Sequence, residues 1–152
     1  MIAVTELKAA IKLNPNFIPA YANLADLYRV LGRDAEGESV LRDGLKIAPK
    51  NAILHHALGL ALVRMKRTDA ALAELEQATT LDPANARFSY VYAVALYSAG
   101  KSDAAIAGLK KNLADHPNNR DVLGALVSFY SARGEDMEAK KYADRLNTLT
   151  DN

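Results

Sequence analysis

The chain reads as an all-α protein, a solenoid of about nine helices arranged as antiparallel pairs over 152 residues. Three observations predict this. Pro15, Pro49, Pro83 and Pro117 are each 34 residues apart, so the chain repeats itself without insertions. Inside each period, apolar and small residues recur at spacings of one, three and four, the mark of a helical face rather than of a strand. Residues that stop a helix and residues that start one also return at fixed places.

Counting repeats from Ile18, Ala52, Ala86 and Arg120 justifies the helices in order. Residues 1–13 place Ala3, Leu7 and Ala10 where later second helices carry their packing residues, so 1–17 reads as the second half of a repeat whose first helix is missing. Residues 18–31 put Leu24, Ala25 and Tyr28 on one face, with Pro19 in the first turn, where a missing N–H costs little. Residues 34–47 carry Gly37 and Leu41. The same columns return as Leu58, Gly59 and Leu62 in 52–65, and as Ala71 and Leu75 in 68–81. They return again as Tyr92, Ala93 and Leu96 in 86–99, and as Ala105 and Leu109 in 102–115. Leu126, Val127 and Tyr130 in 120–133 and Ala139 and Ala143 in 136–149 complete the set. Small residues at Gly37, Ala71, Ala105 and Ala139 let paired helices approach closely.

The boundaries have their own signals. Gly32, Gly100 and Gly134 end first helices, and Asn51, Asn85 and Asn119 cap the first helix that follows each turn. Asp34, Thr68, Ser102 and Asp136 read as caps of the second helices. The expected organisation is a single domain of a truncated repeat at 1–17, full repeats at 18–51, 52–85 and 86–119, and a terminal repeat with its cap at 120–152.

A 34-residue helix-turn-helix unit with Leu-small-x-x-Tyr/Leu, a small residue in column 20 and proline in column 32 resembles the tetratricopeptide repeat. The resemblance covers nearly the whole chain. It departs from the family where column 4, frequently Trp, holds Tyr21, His55, Ser89 and Leu123. It departs again where column 27, usually Ala, holds Gly44, Ala78, Asn112 and Leu146, which predicts local looseness around Asn112. The resemblance implies a right-handed superhelix whose concave face is lined by first helices. On that face it places Asp26, Arg29, His56, Leu60, Arg64, Arg87, Tyr90, Val94 and Tyr97 as candidate partner-binding residues. Ile53, Val63, Asp121, Ser128 and Ser131 share those columns. Tyr92, Tyr28 and Tyr130 are expected in the core. For Tyr90 and Tyr97 groove contact and inter-repeat packing both stay open, as do binding and simple ion pairing for Arg29 and Arg64. The Lys and Asn set with which some family members clamp a peptide's terminal carboxylate is missing, since those columns hold residues such as Ala22, His56, Tyr90 and Gly124.

Composition limits the function classes. Nineteen Lys+Arg against eighteen Asp+Glu, well mixed, argue against nucleic acid or an anionic membrane as partner. No run approaches the roughly 18 apolar residues of a membrane span. The absence of cysteine excludes disulfides, thiolate nucleophiles, thiolate metal sites and covalent haem attachment within these residues. It leaves cytoplasm and periplasm equally open. The adjacent His55 and His56 point about 100° apart on a helix and lack a third ligand nearby, so no metal is expected. His116 reads as a solvated loop residue. With no phosphate-binding glycine motif, nucleophile elbow or paired carboxylates, no cofactor and no catalysis are expected.

The leading reading is therefore a protein-interaction scaffold that binds a peptide or partner protein, the C-terminal part of a larger bacterial protein. Segments such as LHHALGLALVR and YVYAVALYSAG also resemble tetratricopeptide tails of some bacterial multihaem cytochrome-like proteins. That likeness implies the alternative of an assembly appendage on an enzyme or electron carrier, with a periplasmic address. A third reading is a homodimer joined through residues 1–13, where Leu7 with Val4 and Ile11 nearby forms an apolar stripe that has no partner helix. At the other end Lys140 and Asn147 replace Leu72 and Thr79 of the second repeat, the polar outer face of a terminal cap.

Overall fold

The asparagine caps are made as expected. In the computed structural model the backbone N–H groups of Leu54, Phe88 and Val122 donate to the side-chain oxygens of Asn51, Asn85 and Asn119 at 3.0, 3.1 and 3.2 Å. Each bond satisfies one of the orphan donors at a helix start. The structure describes residues 2–150 and, among them, nine helices and no strand. They are α1 (Ile2–Leu13), α2 (Ile18–Val30), α3 (Asp34–Ile47), α4 (Ala52–Arg64), α5 (Thr68–Leu81), α6 (Ala86–Ser98), α7 (Ser102–Asp115), α8 (Arg120–Ala132) and α9 (Asp136–Thr150). Met1 and residues 151–152, assigned above to the first and last segments, lie outside the described residues.

The turns within pairs depend on one left-handed residue. Gly32, Gly100 and Gly134 have φ of 71°, 82° and 74°, and in the second repeat Lys66 adopts 60° without the glycine's freedom. The N–H of Arg33 then reaches back to Tyr28 O at 2.8 Å. This tight closure corrects the expected caps of the second helices. Asp34, Thr68, Ser102 and Asp136 are the first helical residues, and in the first three repeats the cap positions fall on Arg33, Arg67 and Lys101, whose side chains make no capping bond. Asp34 still sits in the first turn, where the helix dipole favours an acid.

The helices cluster into two compact units, Met1–Asp82 and Pro83–Asn152. In the first, each of α1 to α5 packs on the next and α2 also touches α4. Leu24, Tyr28, Leu41, Leu54, Leu58, Leu62 and Leu75 are wholly inside, and full burial of one such apolar side chain is worth about 1.5–3 kcal/mol. In the second, α6 to α9 pack in sequence around Leu109, Val122, Leu123 and Leu126. Tyr28 and Tyr130 are core residues as expected. Tyr92, expected there too, is only half-buried, since its ring is longer than the leucine of that column and its hydroxyl resists full burial.

The unusual residues of columns 4 and 27 compensate one another. Tyr21 lies over Gly44, where an added Cβ would meet the ring's Cγ at 3.1 Å and Leu54 Cδ1 at 3.0 Å. The same two columns hold His55 with Ala78 and Leu123 with Leu146. In the third repeat Ser89 is small and Asn112 fills the space. Asn112 is only 4% exposed, and its Nδ2 donates to Ala86 O at 2.8 Å and to Ser89 Oγ at 2.5 Å. The Asn112 amide nitrogen is thus held by two acceptors, while its buried Oδ1 has no hydrogen-bond partner among the described residues, an unsatisfied acceptor that costs free energy.

Column 4 also secures the proline turns. Tyr21 Oη donates to Pro15 O at 2.7 Å, and His55 Nε2 lies 2.8 Å from Pro49 O while Nδ1 lies 2.6 Å from Glu74. Leu123 cannot do this, and Arg145 donates to Pro117 O instead at 3.1 Å. His116, expected to be solvated, is half-buried with Nε2 3.2 Å from Ala84 O.

Candidate functional site

Because α2 and α4 touch within the first unit, residues of matching columns on them end up side by side. In the first unit this builds a groove of about 220 Å³. Ala22 and Ala25 of α2 and Ala57 and Ala61 of α4 form its short-chained floor, with Leu60 and Ile53 beside them and Gly37 and Leu41 of α3 behind. Asp26, Arg29, Arg64 and Asp34 supply its charges. Four of the sequence candidates, Asp26, Arg29, Leu60 and Arg64, are therefore brought together.

Both arginines are already engaged. Arg29 Nε donates to Asp26 Oδ1 at 2.9 Å, an i,i+3 pair with side chains 48% and 64% exposed. Arg64 Nε donates to Asp34 Oδ1 at 2.9 Å, linking the end of α4 to the start of α3 in the previous repeat. Arg67 reaches back in the same way to Glu38 at 2.7 Å. Glu38 also accepts from Arg42 at 2.9 Å, and the two guanidiniums hold its carboxyl below the usual range although desolvation by itself pushes it up. In the second unit Arg133 and Asp103 meet at 2.7 Å.

The remaining candidates lie elsewhere. His56 is half-buried and does not line the groove. In the second unit Arg87 is exposed and Val94 half-buried. Tyr90 is half-buried against the core of α7 and α8, and Tyr97 stacks on Phe129 with ring centroids 3.8 Å apart and planes 4° from parallel. Both rings are thus used in packing. The sequence reading missed Asp34 and the alanine floor. The signal for Asp34 was a charge pair 30 residues apart, Asp34 with Arg64, which recurs as Asp103 with Arg133.

A second hollow of about 300 Å³ lies between α1 and α3, floored by Tyr21, Leu24 and Tyr28 and rimmed by Lys8, Glu36 and Asp43. Among the described residues there is no group of three His, Cys, Asp or Glu able to hold a metal ion, and no helix is long and apolar enough to cross a membrane.

Two family models, both described as tetratricopeptide repeat, match residues 18–51 and 56–120, together about two thirds of the sequence. The chain belongs to the tetratricopeptide repeat family. No curated protein sequence matches it. Among solved structures, a crystal structure of MamA matches at 22% identity with a TM-score of 0.88, over 98% of this chain and 87% of that one. MamA AMB-1 matches at 27% identity and 0.80, over 99% and 82%. YrrB, described as a TPR protein with an unusual peptide-binding site, matches at 19% identity and 0.81, over 99% and 77%. These matches establish the helical repeat fold. They lend no support to the looser likeness to multihaem cytochrome-like tails.

Proposed function

We propose that this protein is an interaction module that holds a peptide segment of a partner protein, and that the groove across α2 and α4 is its docking site. The observation that carries this reading is the groove itself. At about 220 Å³ it is below the roughly 300–1,000 Å³ of pockets that enclose drug-sized ligands. An open hollow of that size with an apolar floor and polar rim suits side chains of an extended chain. The peptide-binding site named for YrrB, a protein of the same fold, agrees with it.

The test is selection of peptides from a random display library by the whole chain, followed by calorimetry with a selected peptide. Leu60→Asp places a carboxylate in the floor at a half-exposed position and is expected to weaken binding about tenfold or more, with the helical circular dichroism unchanged. Failure to select any peptide, or selected binding that survives Leu60→Asp and is lost in Tyr90→Ala, argues against this groove.

One observation favours a second, compatible reading, a homodimer through residues 1–13. Val4, Leu7 and Ile11, the stripe expected to lie open, pack instead with Leu24 and Tyr28 of α2, but Ile2 and Leu13 are 78% and 87% exposed, and Ala3 and Ala10 are exposed where their counterparts Ala71 and Ala78 are buried. Paired α1 helices cover those exposed residues. Light scattering is expected to give twice the chain mass for wild type and the monomer mass for Leu13→Glu. A wild-type monomer at high concentration removes the dimer.

A further inference from the structure

The docking groove carries both signs of charge in equal number, and this constrains what it accepts. Resting on the reading of the groove as a peptide site, we infer that its occupant is an extended segment without net charge, bearing small apolar side chains and held partly through its backbone. Asp26, Arg29, Asp34 and Arg64 pair off two by two within 2.9 Å. A ligand carboxylate approaching Arg29 meets Asp26 at nearly the same distance, and a ligand ammonium approaching Asp26 meets Arg29. Attraction and repulsion then nearly cancel, while the ligand charge loses hydration on entering.

A peptide group suits the same site. It offers an N–H donor and a C=O acceptor close together and carries no net charge. The Asp26–Arg29 pair uses Asp26 Oδ1 with Nε and Nη2 of Arg29. Asp26 Oδ2 can therefore accept an N–H, and Arg29 Nη1 can donate to a C=O, with the ion pair intact. Arg64 engages Asp34 through Nε, so its Nη groups can donate to a C=O in the same way. The floor completes the selection. Ala22, Ala25, Ala57 and Ala61 give a lining of short apolar side chains against which alanine or valine side chains can rest.

The experiment titrates the whole chain, followed by amide chemical shifts, with three blocked eight-residue peptides of alternating alanine and valine. One is neutral, one has a central aspartate and one a central lysine. The neutral peptide is expected to bind about tenfold more tightly than either charged form, with little change in affinity from about 50 to about 500 mM salt. Asp26→Asn leaves Arg29 uncompensated and is expected to shift preference to the aspartate peptide. Arg29→Gln is expected to shift it to the lysine peptide.

Tighter binding of a charged peptide by the wild type, or unchanged preference in both variants, overturns the inference. So does a neutral peptide that leaves the groove amides unmoved. In each case the peptide-binding reading itself stands or falls separately, on whether library-selected peptides lose affinity in Leu60→Asp.

Discussion

Leu75→Ala is expected to lower the unfolding free energy by about 2–5 kcal/mol, the range for emptying a fully buried leucine site. Leu75 of α5 is wholly inside and lies directly on Gly59 of α4. Urea denaturation followed by helical circular dichroism measures the loss. The neighbouring glycine makes the prediction sharper. A Cβ at position 59 would stand 2.6 Å from Leu75 Cδ2, 2.7 Å from its Cγ and 3.3 Å from its backbone nitrogen. Gly59→Ala in the wild type thus sets a helix-propensity gain of about 1 kcal/mol against overpacking that costs about 1–3 kcal/mol. In the Leu75→Ala background Cδ2 and Cγ are gone and only the backbone nitrogen at 3.3 Å remains, so the same Gly59→Ala is expected to stabilise. The two changes should be coupled by about 1–3 kcal/mol. Simple additivity would mean that α4 and α5 do not pack through this contact.

Tyr21→Ala is expected to cost about 3–5 kcal/mol, the range for removing a buried aromatic ring. The ring is 4% exposed and occupies the space left by Gly44, which has no side chain to relax into the hole. Tyr21→Phe keeps the ring and loses only the hydroxyl's donation to Pro15 O. Because Pro15 is exposed, water replaces the lost donor, and the expected cost is about 0.5–1.5 kcal/mol. Equal losses in the two variants would assign the role of Tyr21 to its hydrogen bond rather than to its volume.

The helices were legible because repetition averages out local ambiguity. One left-handed Gly32 or one Asn51 is a weak signal, but the same residue types at the same places in three repeats leave little room for another arrangement. Boundaries consequently agree to within a residue: the first helices end one residue early, at Val30, Arg64, Ser98 and Ala132, and the second helices start where expected, although the residues expected as their caps are already helical. There the favoured cap types at Asp34, Thr68 and Ser102 were overridden by the turn closing through Arg33, Arg67 and Lys101. The groove was partly legible for the same reason. Asp26, Arg29, Leu60 and Arg64 follow from their columns, whereas Asp34 is contributed by a second helix and was assigned to capping.

The 34-residue period by itself determined an all-α chain of helix pairs, their limits, and the columns that face inward. These are properties of local spacing, which a linear sequence records directly. Only the tertiary structure decided how odd residues fit: that Asn112 is a buried, bonded replacement for an alanine, that Tyr21 fills the place of Gly44's missing side chain, and that each groove arginine already holds an aspartate. Such matters depend on which side chains meet across different helices. Distances between residues some 20 or 30 positions apart exist only once the helices have packed.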